Sequence, residues 1–274
     1  MGLSQTNLEK LDFSALYEEQ MKCSTFKSKN SQDWDKKANS MNESVHKSAY
    51  TQTFIDKMDI THVSSLLDVG CGPGTISLAM ASKLKEVYAL DYSQKMLDFV
   101  EENAKKQNLT NVKTLHTSWY DSWENVPKAD IVVASRSMEV KDIKDALLKL
   151  NSKANKRVYL TTKVGGSFVD AEILNQLQRE IFPRPDYIYI LNVLHNMGIY
   201  AKVDFIESQN SRFESLNEDE FIEKISWSLG QITKEEKEVL KNYFNTTYRN
   251  KKETNFLRWA FISWEVKKNR EYKI

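Results

Sequence analysis

Cysteine is nearly missing from this chain. Cys23 and Cys71 are the only two in 274 residues, and neither belongs to a C-x-x-C or zinc-type spacing, so a disulfide scaffold is excluded. There is no surplus of charge either: 39 Lys and Arg face 38 Asp and Glu, a net charge of +1, which gives no field to draw in nucleic acid or an anionic membrane. No uninterrupted apolar run reaches membrane-spanning length, and Met1 to Lys10 is polar with no apolar signal core. A soluble protein of the reducing cytoplasm, without membrane insertion, is expected. There is no internal repeat and no low-complexity linker. Local imbalance is confined to residues 246–274, with eight Lys or Arg against three Glu, either a solvated surface or a contact for phosphate.

What the chain does have is one strong strand-to-helix junction. Leu66-Leu67-Asp68-Val69 reads as a buried strand and Gly70-Cys71-Gly72-Pro73-Gly74 as a tight turn, after which Ile76, Ala79, Met80, Lys83 and Leu84 recur at helical spacing. Glycines at such a turn reach backbone angles that other residues avoid and let the main chain approach a ligand, while N–H groups at the helix start face a polar group. The alternative is a tight turn with no ligand. Val87-Tyr88-Ala89-Leu90-Asp91 is a second short strand ending in a carboxylate, and Asp91 follows Gly70 by 21 residues, close to the interval at which an acid meets a ribose in nucleotide-binding βαβ units. Otherwise Asp91 caps the helix beginning near Ser93, a role Ser93 can fill itself. The spacing is G-x-G-x-G. A dinucleotide fingerprint needs G-x-G-x-x-G, and Thr75 and Ser77 stand where its third glycine would be.

With Asp91 downstream, the string Asp68-Val69-Gly70-Cys71-Gly72-Pro73-Gly74 resembles motif I and the following acidic motif of the class I S-adenosylmethionine-dependent methyltransferases, in particular the small-molecule group similar to the ubiquinone-biosynthesis methyltransferases. The resemblance covers roughly residues 64–162. It implies an α/β fold: a Rossmann-like, seven-stranded, mostly parallel sheet with helices on both faces, an N-terminal helical cap and helical insertions. It also implies S-adenosylmethionine as cofactor, with S-adenosylhomocysteine as product. The implied cofactor contacts are Asp68, Gly70, Cys71, Gly72, Gly74, Asp91, Tyr92 and Met96, joined by Ser118, Trp119 and Ser135. Ser118 to Asp121 stands where the family grips adenine, so Trp119 or Tyr120 either stacks on the base or packs in the core.

Residues 1–60 read as the helical cap, with the best helical pattern from Ser44 to Met58, and residues 61–274 as the methyltransferase domain, with helical insertions near 166–198 and 214–250. Trp34, Met41, His46 and Tyr50 are the cap's notable side chains. In the resembling group such a segment closes over the cofactor and helps form the substrate pocket; alternatively these residues only pack the cap onto the core. Val112 to His116, Ile131 to Ala134 and Val158 to Thr162 are the third to fifth strands. Ligands of open α/β sheets lie outside the strand C-termini, which puts Arg136 at the reacting centre. Its guanidinium can pair bidentately with a substrate carboxylate or phosphate, or else with Asp130 or Glu139. Further on, Gly165-Gly166 is a hinge, one helix is expected from Asp170 to Glu180 and another from Pro185 through Leu194, with Tyr189, Asn192 and His195 on its polar side. A strand spans Ala201 to Glu207, a staple and capping box mark Leu216, Asn217, Glu220 and Phe221, a helix follows Thr233, and a last strand runs from Phe256 to Val266.

A sulfonium methyl is already electrophilic, so positioning and exclusion of water carry the catalysis, and a base helps only an alcohol or phenol acceptor. His195 and His46 are the candidate bases, with Tyr50 or Tyr189 as hydrogen-bond partner and Tyr50 counted with the catalytic residues; the alternative for each His is a structural role. Arg136, Tyr189, Asn192 and His195 are the candidate substrate contacts. The fourth strand ends in Ala134-Ser135 where a metal-assisted catechol mechanism wants a carboxylate, so no metal is expected. The Pro-Pro signature of base methylation is missing from Ser135 to Met138. The expected activity is methyl transfer to an O or N atom of a small molecule, by a monomer or homodimer. RNA or protein methylation, and a non-catalytic cofactor-binding module, are the alternatives.

Overall fold

Strands whose successive side chains are both apolar must be covered on both faces, and helices supply that cover. The computed structural model of the chain describes residues 11–44, 48–209, 216–250 and 256–266. Three helices come first: α1 (Phe13–Cys23), α2 (Ser31–Ser44) and α3 (Ala49–Asp56). The βα alternation follows as β1 (Ser65–Val69), α4 (Thr75–Ala81), β2 (Glu86–Asp91), α5 (Gln94–Lys106), β3 (Val112–His116), β4 (Ala129–Ser135), α6 (Ile143–Lys153) and β5 (Ala154–Lys163). Helices α7 (Ala171–Gln176) and α8 (Tyr187–Asn196) lead to β6 (Lys202–Gln209), and α9 (Glu218–Leu229) and α10 (Lys234–Thr246) to β7 (Phe256–Glu265).

The sheet order is β3-β2-β1-β4-β5-β7-β6. Strands β1 to β5 are parallel, and β7 enters antiparallel between β5 and β6. Adjacent residues serve opposite faces. Leu67, Val132 and Leu160 pack under Leu147 of α6 and Leu194 of α8, whereas Leu66, Val133 and Phe261 pack under Phe54 of α3 and Met80 of α4. Burying each such side chain contributes about 1.5–3 kcal/mol. A separate cluster away from the sheet joins Phe26 and Ile173 to Phe221, Ile225 and Phe244 of α9 and α10.

Boundaries differ from expectation in two places. The pattern from Ser44 to Met58 is not one helix: α2 ends at Ser44 and α3 starts at Ala49 with Ser48 in its cap position, and Val45 and His46 lie outside the described residues. The helix expected from Asp170 to Glu180 stops at Gln176, because Gln178 takes a left-handed φ of 51° that cannot continue a right-handed helix. The capping box expected at Asn217 is present, and a second one, not read from the sequence, starts α10 at Thr233 and Glu236. Asn217 Oδ1 accepts from Glu220 N at 2.9 Å, while Glu220 Oε2 accepts from Asn217 N at 3.0 Å.

Candidate active site

Val69 hands the chain to Gly70 at φ 68°, and Gly72 and Gly74 follow at 54° and 89°. At Gly70 the requirement is close approach: a Cβ would stand 2.4 Å from the Cβ of Ser137, whose hydroxyl donates to Val69 O at 2.6 Å. At Gly72 a Cβ would meet nothing within 4 Å, so this face of the loop is bare. The N–H groups of Gly70 and Cys71 both donate to Leu90 O, at 2.7 and 3.0 Å. Asp91 holds the loop from the next strand: Oδ2 accepts from Gly72 N and Oδ1 from Ser93 N, each at 2.9 Å. Ser93 itself caps α5, its Oγ accepting from Met96 N at 3.2 Å.

Asp68 is buried beneath the same loop, and its Oδ2 accepts from both Ser77 N (3.0 Å) and Ser77 Oγ (2.6 Å). Burial pushes the Asp68 carboxyl up to about 7, with Asp91 adding to the rise and the Ser77 bonds opposing it. Burial also raises Asp91, against the bonds from Ser93 and Gly72. Neither acid forms an ion pair among the described residues. A ligand that brings hydroxyl donors and positive charge would stabilise both carboxylates, and the bare loop between them leaves room for it.

The other half of the site stands at the ends of β4 and β5. Tyr50, 2% exposed on α3, hydrogen-bonds through its hydroxyl with Ser135 Oγ at 3.0 Å and Thr161 Oγ1 at 2.6 Å. Thr161 Oγ1 also accepts from Arg136 N at 3.0 Å, which pins Arg136 at φ 59°, a region uncommon for non-glycine residues. The guanidinium carbon lies 4.4 Å from the centre of the Tyr50 ring, a cation–π contact. Burial raises the Tyr50 pKa, with Arg136 pulling it down, and the phenol is neutral at physiological pH. Both acids considered as partners for Arg136 are engaged elsewhere: Asp130 accepts from Ser64 N at 2.8 Å and pairs with Lys156 at 3.4 Å, and Glu139 pairs with Arg184 at 2.7 Å.

Arg136 lines a pocket whose other charged walls are Glu139, Lys163 and Arg184. Tyr17 of α1 roofs it, its hydroxyl donating to Val140 O at 3.0 Å. Arg184, nearly buried, ties three distant segments together. Its Nη2 donates to Lys27 O at 2.8 Å, its Nη1 to Glu139, and its backbone N–H to Gly166 O at 3.1 Å. Gly166 allows this because a Cβ there would lie 2.2 Å from Arg184 O.

The strand ends bring most of the expected cofactor contacts to one edge of the sheet. Cys71 is buried in the loop, Gly74 precedes α4, and Met96 is buried in the first turn of α5. Tyr92 donates through its hydroxyl to Lys29 O at 3.4 Å. Ser118 O accepts from Trp123 Nε1 at 2.9 Å, and Trp119 stacks on Trp123 with ring centres 5.3 Å apart, its Nε1 donating to Ser137 O at 3.2 Å. Tyr120 is exposed. Three expected substrate contacts on α8 do not line the Arg136 pocket. Tyr189 donates to Gln20 Oε1 at 2.6 Å, Asn192 donates back to Ile188 O at 2.8 Å, and the exposed His195 ring meets Tyr200 at 5.8 Å. His46 lies outside the described residues. Thr161 and Lys163 carry one weak sequence signal, their place at a strand C-terminus, which does not single them out, whereas Tyr17 and Arg184 carry no local signal at all.

A glycine-punctuated loop after β1, an acid at the end of β2 and a β3-β2-β1-β4-β5-β7-β6 sheet define a Rossmann-like protein whose strand ends suit a nucleoside-containing ligand. Known proteins narrow the class. Residues 60–240 match the Methyltransferase domain family, and an uncharacterised protein of Haemophilus influenzae is 38% identical over 237 residues, covering 85% of this chain and 88% of the relative. The chain therefore belongs to the Methyltransferase domain family, and it is an S-adenosylmethionine-dependent methyltransferase. Its fold is shared with the YcgJ protein of Bacillus subtilis (TM-score 0.54, 15% identity, 80% of this chain and 99% of that one). It is also shared with coclaurine N-methyltransferase bound to N-methylheliamine and S-adenosylhomocysteine (TM-score 0.50, 14% identity, 94% and 96% covered). No helix among the described residues is long and apolar enough to cross a membrane.

Proposed function

We propose that this methyltransferase acts on an O or N atom of a small-molecule acceptor, as in the group similar to the ubiquinone-biosynthesis enzymes. The observation that supports the cofactor half is the pair of buried, unpaired carboxylates, Asp68 and Asp91, set around a loop whose Gly72 face is bare. In this reading Asp91 accepts the ribose hydroxyls with the lone pairs its bonds to Gly72 and Ser93 leave free. Asp68, Gly70, Cys71, Gly72 and Gly74 border the cofactor's polar tail, and Tyr92, Met96, Ser118 and Trp119 border its base. Ser135 closes the strand-end side. The bound cofactor supplies an electrophilic methyl group.

The chain's own residues do the rest. Arg136 orients the acceptor, Tyr17 and the Gly166 to Arg184 segment keep water out, and neutral Tyr50 fixes Ser135 and Thr161 beneath Arg136. Alignment of this kind accounts for as much as about 7–11 kcal/mol of barrier lowering. His195, Tyr189 and Asn192 stay outside the chemistry in this reading, since the pocket lining does not include them. An RNA or protein acceptor would draw on the basic tail, of which residues 251–255 and 267–274 lie outside the described residues.

Calorimetry with S-adenosylhomocysteine tests the assignment. The wild type is expected to bind, and Asp91→Ala to bind at least about tenfold more weakly. Unchanged affinity in the variant would reject the ribose role. Binding with no conversion of S-adenosylmethionine in any metabolite mixture would favour a non-catalytic module.

A further inference from the structure

We infer that the pocket at the C-terminal ends of β4 and β5 takes an acceptor carrying a carboxylate on an apolar body, gripped jointly by Arg136 and Lys163. The inference rests on the methyl-transfer reading and adds the class of acceptor to it. Strands β4 and β5 are parallel neighbours, and Arg136 and Lys163 at their ends line one pocket. The third cation there, Arg184, is already satisfied: Glu139 Oε2 lies 2.7 Å from Nη1, and Nη2 donates to the carbonyls of Phe26 and Lys27 at 3.3 and 2.8 Å. Arg136 and Lys163 have no carboxylate partner among the described residues. Arg136 rests on the Tyr50 ring, and Lys163 Nζ donates to the carbonyl of its own neighbour Val164 at 2.7 Å.

Lys163 is half-buried, and burial lowers its pKa against the pull of Asp186 and Asp170. Asp186 and Asp170 act on it from beyond ion-pair distance, and a partly desolvated cation with no directly paired carboxylate favours an anion brought by the ligand. Arg136 is aimed rather than free, because the Thr161 bond holds its backbone at φ 59° and such conformations persist where the surroundings impose them. One planar fork and one ammonium match the two oxygens of a carboxylate. A phosphate brings a third oxygen and a second charge, for which the lining offers no further unpaired cation, and the apolar walls are Met138, Phe168 and Trp259. Those walls suit the body that carries the acid.

The test is a ligand-observed NMR titration of the full chain saturated with S-adenosylhomocysteine, with benzoate, benzamide and phenyl phosphate as probes. The wild type is expected to prefer benzoate to benzamide by at least about tenfold, and Arg136→Gln and Lys163→Gln each to cut that preference to about threefold or less. Both variants should keep wild-type affinity for S-adenosylhomocysteine, which also shows that they fold. Equal binding of the three probes, a preference for phenyl phosphate, or a benzoate preference that survives both substitutions would overturn the inference. So would weakened S-adenosylhomocysteine binding in the variants, which would assign the two cations to the cofactor's own carboxylate. A wild type that binds no S-adenosylhomocysteine would remove the methyl-transfer reading and this inference with it, a failure distinct from the others.

Discussion

Gly70 and Gly72 share a positive φ for different reasons, and substitution separates them. Gly70→Ala drives a methyl group into Ser137 and should lower stability by roughly 1–3 kcal/mol, as overpacking does. Gly72→Ala meets no neighbour, so thermal melts should show only the cost of a left-handed alanine, about 1–2 kcal/mol. Its S-adenosylhomocysteine affinity should nevertheless fall by at least about tenfold in calorimetry; full affinity would remove the bare face from the cofactor site. Asp68 makes a separate prediction. Its carboxyl rises from the ordinary 3.8 to about 7 on burial, so between those values the folded chain holds a proton that the unfolded chain releases. The stability this gives is full below the unfolded value and is lost as pH rises through the folded one. Melting of the cofactor-free protein should therefore fall from pH 5 to pH 8, and Asp68→Asn should flatten that part of the slope. The two acids and the glycines were legible because they crowd into a short strand–turn–helix. Thr161 and Lys163 were not singled out, because their partners Tyr50, Arg136 and the pocket walls meet them only in the folded sheet.

Helices α9 and α10 stand on their own apolar cluster, centred on Phe221 and joined by Tyr243 and Phe244. Each begins with a reciprocal capping box, at Asn217 with Glu220 and at Thr233 with Glu236. Replacing Asn217 or Thr233 by Ala should cost about 1 kcal/mol. The loss should appear as faster amide exchange in α9 and α10, with β1 and β4 unchanged; equal acceleration in those strands would show that the two clusters open as one unit. A capping box needs only four residues, so the one at Asn217 was readable, as were the strands with their continuous apolar runs. Helix α2 was not. It lacks a broad apolar stripe and docks on α5 through polar pairs, Ser93 Oγ to Asp35 Oδ1 at 2.5 Å and Asn103 Nδ2 to Asn42 Oδ1 at 2.7 Å, and such pairs leave no period to read.

The roof over the pocket depends on contacts that span the molecule. Arg184 bonds to Lys27, 157 positions away, and to Glu139, 45 positions away, distances at which no sequence pattern speaks. Arg184→Gln should free the segment after α1, and limited trypsin digestion should then cut at Lys27 and Lys29 well before the sheet unfolds. Protection equal to wild type would mean that α1 alone holds the roof. The order of the sheet has a further consequence, which concerns synthesis rather than catalysis. Among the described residues strand β6 pairs with β7 alone, and β7 also covers the open edge of β5. During synthesis from the N-terminus, β5 and β6 therefore stay without the strand that joins them, leaving edges of the kind that invite aggregation, until β7 is released. A chain that stops between positions 210 and 255 keeps β5 and β6 but lacks β7, so β5 stays uncovered and β6 has lost its partner strand; such a product is expected to aggregate, which sedimentation of the truncated chain would check.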